Sequence, residues 1–231
     1  LFDDPGLGKS AQAICAASAL GGPVIVVCPA VAIGVWKREF ARWAPHYGVT
    51  VQAKTSAVAA PTGNNALITT YDRCSVSASA PCGLILDEAH LVKNFSSQRA
   101  KRVRAMVDTC RSFVWALTGT PILRDPDDLW GIVSNVGLGP STYGSKGRFR
   151  DRFGWEDDAW SAPSGDAWAP LAPFMLRRYR GYVLDLPPRT GEEWYIDLPK
   201  RLDDRFKDIC ARFPPDDDQW EIWATGGELA S

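Results

Sequence analysis

Eight consecutive residues, Asp3 to Ser10 (DDPGLGKS), limit the options of this chain more than any other stretch. They follow Leu1-Phe2, which reads as the end of a strand, and precede Ala11 to Leu20, which reads as a helix. A strand, a glycine-rich turn and a helix N-terminus form an anion cradle. Backbone N–H groups line the turn, and the helix dipole adds partial positive charge. Gly6 and Gly8 let the backbone approach an anion with no Cβ in the way. Lys9 would reach the β- and γ-phosphates of a nucleotide, and the Ser10 hydroxyl would ligate Mg²⁺. The strict phosphate-binding pattern has glycine where this chain has Asp3. On this stretch alone, a solvated lysine on an ordinary glycine-rich turn stays open.

The rest of the chain supplies a frame for such a cradle. Ile14, Ala17 and Leu20 give the first helix an apolar face, and Gly21-Gly22 stops it. Val24 to Cys28 (VIVVC) is a continuous β-branched run, suited to a strand buried on both faces of a parallel sheet. Ile33, Trp36, Phe40 and Trp43 recur at helical spacing. Thr50 to Ala53, Ala66 to Thr70, Leu84 to Asp87 and Phe113 to Leu117 read as further strands. Ser96 or Ser97 caps a helix whose apolar face is Val103, Met106, Val107 and Cys110. Strands alternating with helices predict an α/β fold, a doubly wound and mostly parallel sheet with helices on both faces. Ligands of such sheets sit at the carboxyl ends of the strands.

Beyond Pro121 the pattern loosens. Asp125-Pro126 starts a helix continued by Leu129, Val133 and Val136. Residues 137–147 are expected to be loop, Trp155 to Trp168 an irregular insert, and Phe174 to Arg180 (FMLRRYR) basic and helical. Trp194, Ile196 and Leu198 alternate as a strand, and Leu202, Phe206, Ile209, Cys210 and Phe213 mark a last amphipathic helix. The domain division expected is a lobe over 1–198 with an irregular insert near 137–170, then a linker over 199–231.

Two more turns carry chemistry. Asp87-Glu88-Ala89-His90 closes an apolar strand. Asp87 can hold Mg²⁺, and Glu88 can orient and deprotonate an attacking water. Thr118-Gly119-Thr120-Pro121 follows another strand; Gly119 permits a tight turn, and the two hydroxyls could bond Asp87 and Glu88 or a phosphate-bound water.

Composition excludes several alternatives. With a net charge of −1 over 231 residues, bulk charge gives no drive toward nucleic acid, so such contact must be local. Six cysteines without a C-x-x-C pair, and only two histidines, argue against a zinc site and for buried free thiols in a reducing compartment. No run approaches the ~18 apolar residues of a membrane span. The expected setting is intracellular, cytoplasmic or nucleoid-associated if the source is bacterial or viral. The chain starts at Leu1 rather than Met and reads as a fragment of a longer protein.

In order, DDPGLGKS, DEAH and LTGTP resemble the first RecA-like lobe of a superfamily-two helicase ATPase, a P-loop NTPase fold. The finer resemblance is to the Swi/Snf-type translocases, with the annealing-helicase and phage-encoded members as the branch of similar size. VIVVCPA with Trp36 and Glu39, ITTYD (Ile68 to Asp72), LDEAHLVKN (Leu86 to Asn94), LTGTPIL with Asp128-Leu129-Trp130, and MLRRYRGYVLDLPPR (Met175 to Arg189) each resemble a motif of that branch. Pro5 departs from it, since a flexible residue such as Met usually stands there.

The resemblance implies ATP and Mg²⁺ as ligands. Asp4, Pro5, Gly6, Leu7, Gly8, Lys9 and Ser10 would form the phosphate loop, Ser10 and Asp87 would hold the metal, and Lys9, Asp87 and Glu88 would be catalytic. His90, Thr118, Gly119 and Thr120 would couple nucleotide state to nucleic acid. Pro29, Ala30, Thr69, Thr70, Tyr71 and Lys93 would touch the backbone of DNA, duplex by expectation, with weak sequence preference. For Lys93 a solvated surface lysine is an equal alternative. Of two basic clusters, Lys146/Arg148/Arg150/Arg152 and Arg177/Arg178/Arg180/Arg189, the resemblance would place the second near DNA or a partner lobe. A second RecA-like lobe in cis would supply arginine fingers, worth roughly 10³–10⁵ in rate. The 231 residues alone are therefore expected to bind Mg-ATP weakly and hardly hydrolyse it. A nucleotide-gated binding module without turnover is the alternative function, and translocation and strand separation are not distinguished.

Overall fold

The structure is a computed structural model that describes residues 1–76, 81–110, 112–156, 159–160 and 165–185, with backbone alone at 155–156 and 159–160. The strand expected at Trp194 to Leu198, the helix over 202–213, Arg189 and the linker over 199–231 lie outside the described residues. Leu1–Asp185 forms one compact unit.

Five parallel strands make the sheet: β1 (Val24–Cys28), β2 (Gly48–Val51), β3 (Asn65–Thr70), β4 (Gly83–Asp87) and β5 (Phe113–Leu117), in the order β2-β3-β1-β4-β5. Every residue of β1 is buried, as its unbroken apolar run requires. Val24, Val26, Ile68 and Ile85 face one core, with Ile14 and Ala17 of α1 (Lys9–Leu20) and Trp36 and Phe40 of α2 (Ile33–Trp43). Ile25, Val27, Leu84 and Leu86 face the other, with Val103 and Met106 of α3 (Gln98–Thr109) and Leu129, Ile132 and Val133 of α4 (Pro126–Asn135). Ser97 is the residue that caps α3, accepting from Ala100 N–H at 3.2 Å.

Residues 1–4 extend this sheet. Thr118 N–H donates to the Leu1 carbonyl at 3.1 Å, and the amides of Phe2 and Asp4 donate to Leu176 and Arg178 carbonyls at 2.8 and 3.1 Å. The phosphate loop therefore leaves a strand-like segment that lies between β5 and residues 176–178.

Three expectations change. Residues 137–147 are not all loop: α5 (Gly139–Tyr143) ends at Gly144, φ 78°, and Ser145 caps α6 (Lys146–Arg152) by accepting from Arg148 N–H. These short helices seat Tyr143, Phe149 and Phe153 in the α4-side core with Ala167 and Leu171, so part of the expected insert is core. The segment after Phe174 is extended, not helical, because its carbonyls are committed to Phe2 and Asp4; one helical turn follows at α7 (Arg180–Val183). α4 starts where expected, with Asp125 at its N-cap position and Pro126 after it; Asp125 makes no side-chain cap bond, and Asp128 accepts from the Leu123 and Arg124 amides at 3.0 Å each. β5 is half-buried over its first four residues.

Cys28, Cys74, Cys82 and Cys110 are buried free thiols, Cys82 donating to Cys110 Sγ at 3.3 Å, whereas Cys15 is exposed. Burial pushes the Cys28 thiol up to about 12 and that of Cys74 to about 11, which leaves both as inert packing groups. Among the described residues no helix is long and apolar enough to cross a membrane.

Candidate functional site

Three turns meet at the carboxyl edge of the sheet. They follow the segment of residues 1–4, β5 and β4, which are lateral neighbours. Together with α2 they enclose a cleft of about 570 Å³, lined by Pro5, Gly6, Gly8, Lys9, Ser10, Ala11, Val35, Glu39, Asp87, Glu88, His90, Gly119 and Thr120. Residues far apart in the chain, Pro5 and Thr120 among them, thus share one wall.

The loop has the backbone an anion needs. Gly6 and Gly8 adopt φ of 89° and 73°, a region that side chains disfavour, and Gly8 leads into α1. Pro5, Gly6 and Gly8 are exposed to the cleft. Lys9 folds back over the loop: its Nζ donates to the Asp3 carbonyl at 2.8 Å and the Asp4 carbonyl at 3.3 Å. Asp4 and Leu7 stand outside the cleft wall. The Asp4 carboxylate accepts from Arg180 N–H at 2.9 Å, and the Leu7 carbonyl accepts from Gln12 at 2.7 Å. Pro5, the departure from the expected motif, packs against Gly119; a Cβ on Gly119 would lie 2.9 Å from its ring. The cradle and the Thr118-Gly119-Thr120 turn are in direct contact because Gly119 has no side chain.

Asp87 ends β4 and is held at three atoms. Trp36 Nε1–H donates to Oδ2 at 2.7 Å, Glu88 N–H donates to Oδ1 at 3.1 Å, and the Tyr71 hydroxyl donates to the main-chain carbonyl at 2.7 Å. Burial pushes its carboxyl above the usual range, against the opposing hydrogen bond from Trp36. Glu88 follows with φ 52° and ψ 53°; among the described residues it is the one non-glycine at positive φ. Its side chain reaches His90, with Oε2 3.2 Å from Nδ1. The same Nδ1 lies 3.1 Å from the Thr118 hydroxyl, so His90 links the turns that follow β4 and β5. Thr118 is fully buried, and its oxygen accepts from Thr120 N–H at 3.2 Å. The expected Thr118 contact with Asp87 or Glu88 is replaced by this one, because His90 stands between.

Ser10 and Asp87 offer hard oxygen donors on the walls of one cleft. That donor set fits Mg²⁺, which takes one or two protein oxygens and fills the rest with water and phosphate.

The residues expected at nucleic acid divide. Cys28, Pro29, Ala30, Thr70, Tyr71, Asp72, Arg73, Leu91 and Arg99 line a second hollow of about 370 Å³ beyond the ends of β1 and β3. Thr69 is not there: it is buried and donates to Gln52 Oε1 at 2.7 Å. Tyr71 reaches the hollow only as a buried wall, since its hydroxyl is committed to Asp87. Lys93 is half-buried and does not line the hollow. Its ammonium pairs with the buried Asp128 at 3.0 Å, tying β4's turn to α4. Arg73 and Arg99 were not expected at this surface; Arg99 also pairs with Asp72 at 2.9 Å. No local sequence signal marks them, because the hollow is assembled from β1, β3 and α3.

Of the basic clusters, Lys146 and Arg150 both pair with Asp127, and Arg152 pairs with Asp166. Arg178 pairs with Asp3, a fully buried carboxylate that also accepts from Gln12. Burial pushes the Asp3 carboxyl up, but bonds from Arg178 and Gln12 outweigh it and hold the group below its ordinary range. These charges are structural ties, a use the sequence alone did not reveal.

With this geometry in hand, the similarities become informative. A family described as SNF2-related domain matches residues 1–213. The chain belongs to that family. Among SNF2-related proteins, the chain is 29% identical over 239 residues to the TATA-binding protein-associated factor MOT1 of Saccharomyces cerevisiae, covering 86% of this chain and 12% of that protein. It is 31% identical over 216 residues to the uncharacterized ATP-dependent helicase MG018 of Mycoplasma genitalium, covering 86% and 20% respectively. The SWI2/SNF2 ATPase core of Sulfolobus solfataricus, solved in complex with double-stranded DNA, superposes with a TM-score of 0.62 and 28% identity over 77% of this chain and 39% of that one. The chain thus spans a minor part of the SNF2-related proteins it matches. The five-stranded parallel sheet with helices on both faces is the RecA-like fold of the SNF2 ATPase core.

Proposed function

We propose that residues 1–185 are the nucleotide-binding lobe of a DNA-dependent, ATP-hydrolysing translocase, active together with a second lobe in cis. The observation that carries this reading is the convergence of Lys9, Ser10, Asp87 and Glu88 on one cleft at the carboxyl edge of a parallel sheet. In this reading the triphosphate lies on the Gly6–Gly8 backbone against the N-terminus of α1. Lys9 leaves the Asp3 and Asp4 carbonyls, its present partners, for the phosphate oxygens. Ser10 and Asp87 hold Mg²⁺, which when bound neutralises charge on the phosphates. The Glu88 carboxylate orients a water for in-line attack and takes its proton. The Glu88–His90–Thr118 chain carries the change toward the Thr118 turn. The hollow at Pro29, Ala30, Thr70, Arg73 and Arg99 receives the DNA backbone, a contact that should weaken steeply with salt.

The test is a pair of substitutions in the full-length protein. Lys9→Ala should abolish both nucleotide binding and DNA-stimulated ATP hydrolysis. Glu88→Gln should keep nucleotide binding and lower turnover by at least ~10². Turnover unchanged by Lys9→Ala rejects the assignment; a wild-type protein that binds ATP but never hydrolyses it, with DNA and both lobes present, favours the non-catalytic module.

A further inference from the structure

We propose that Trp36 is a positioning residue for the metal-holding carboxylate. It fixes the rotamer of Asp87 through its indole N–H, and Mg²⁺ affinity depends on that bond. The inference rests on the nucleotide reading above and goes beyond it by assigning a role to a residue outside the phosphate loop and the acidic turn.

Three observations support it. Trp36 is fully buried, and a buried indole needs an acceptor. Of the acceptors within reach of α2, it meets Oδ2 of Asp87 at 2.7 Å, a short charge-assisted bond. Next, the hold on Asp87 comes from both faces of the sheet. Trp36 belongs to the α1/α2 core and Tyr71 to the α3/α4 core, and the two bond the side chain and the main chain of the same residue. A carboxylate so held has little rotational freedom left, while each oxygen keeps a lone pair for a cation. Last, α2 itself forms part of the cleft through Val35 and Glu39, so the indole links the position of that wall to the orientation of Asp87. Filling the core needs none of this; Phe40, one turn on, packs there with no polar atom.

The experiment separates a positioning role from a packing role. Affinity for a fluorescent ATP analogue is measured in the full-length protein with Mg²⁺ and again with the metal chelated. Trp36→Phe keeps an aromatic ring and loses the donor. Loss of an orienting bond to a metal ligand costs roughly 10–100-fold in metal affinity. Trp36→Phe should therefore weaken binding with Mg²⁺ by at least ~10-fold while metal-free affinity stays within about twofold. A variant with the wild-type ratio between the two conditions, or with both affinities lowered together, overturns the proposal and leaves Trp36 a packing residue. A wild-type protein whose nucleotide affinity gains nothing from Mg²⁺ overturns the proposed function and this inference with it. If Trp36→Phe does not fold, ¹⁵N-indole spectra of the wild-type protein decide. One protected indole resonance should move when Mg²⁺ is added to the nucleotide complex; no movement in any of them overturns the proposal.

Discussion

Glu88 holds its backbone at φ 52° and ψ 53°, a left-handed conformation that costs a residue with a Cβ roughly 1–2 kcal/mol. The strain has a geometric consequence. The left-handed residue turns the chain sharply from β4 into Ala89–Val92, which lets Glu88 and His90 meet and sends the Glu88 amide back to Asp87. Two substitutions that both delete the carboxylate should therefore differ in stability. Glu88→Gly should be more stable than Glu88→Ala by about 1 kcal/mol in denaturant unfolding, with both inactive in hydrolysis. Equal stabilities would show that the turn relaxes once the side chain is gone.

Among elements, the contact of α4 with the turn after β4 sets where the acidic residues end up. Gly131 of α4 lies so close to the Lys93 carbonyl that a Cβ there would sit 1.7 Å from the oxygen. Lys93 also pairs with Asp128, one helical turn earlier, and Asn135 donates to the Val92 carbonyl. Three residues of one helix face thus clamp the segment that follows Asp87 and Glu88. Gly131→Ala should push α4 off this segment at a cost of about 3 kcal/mol, at the upper end for overpacking because the obstacle is backbone. Thermal unfolding checks the loss, and nucleotide affinity should fall with it even though residue 131 does not line the cleft.

For the whole molecule, the tie between Asp3 and Arg178 joins positions 175 apart and brings the segment after Phe174 onto the phosphate loop. Arg178 donates to both oxygens of Asp3 and to Gln12, and Asp4 accepts from Arg180 N–H. Since the folded Asp3 carboxyl is held below its ordinary value of 3.8, the tie contributes stability that is fully present above that value. The contribution is lost as pH falls further, through the folded value. Acid unfolding of Asp3→Asn should accordingly show a shallower loss of stability below pH 3.8 than wild type, and amide exchange at Phe2 and Asp4 should accelerate in the variant. Identical acid transitions would place the stabilising charges elsewhere.

Most of the frame was legible from local chemistry. The VIVVC run, the helical spacing of Ile33, Trp36 and Phe40, and Gly6 and Gly8 at positive φ in the loop each encode their element by themselves. So does the order of the three polar turns, because in a parallel sheet every strand end lies on one edge. Pairings between distant side chains are another matter, since nothing local records them. Thr69 turned inward to Gln52, Lys93 to Asp128 and Arg178 to Asp3, although each reads in sequence as a polar residue open to a ligand. The helices over 139–152 were hidden by their glycines, and what holds them is the aromatic packing of Phe149 and Phe153 with Tyr143. Sequence by itself determined which residue types stand at the strand ends. Only the tertiary structure decided which of them remain exposed to a ligand and which are committed to one another, because a buried polar group takes whatever partner the fold brings within about 3 Å.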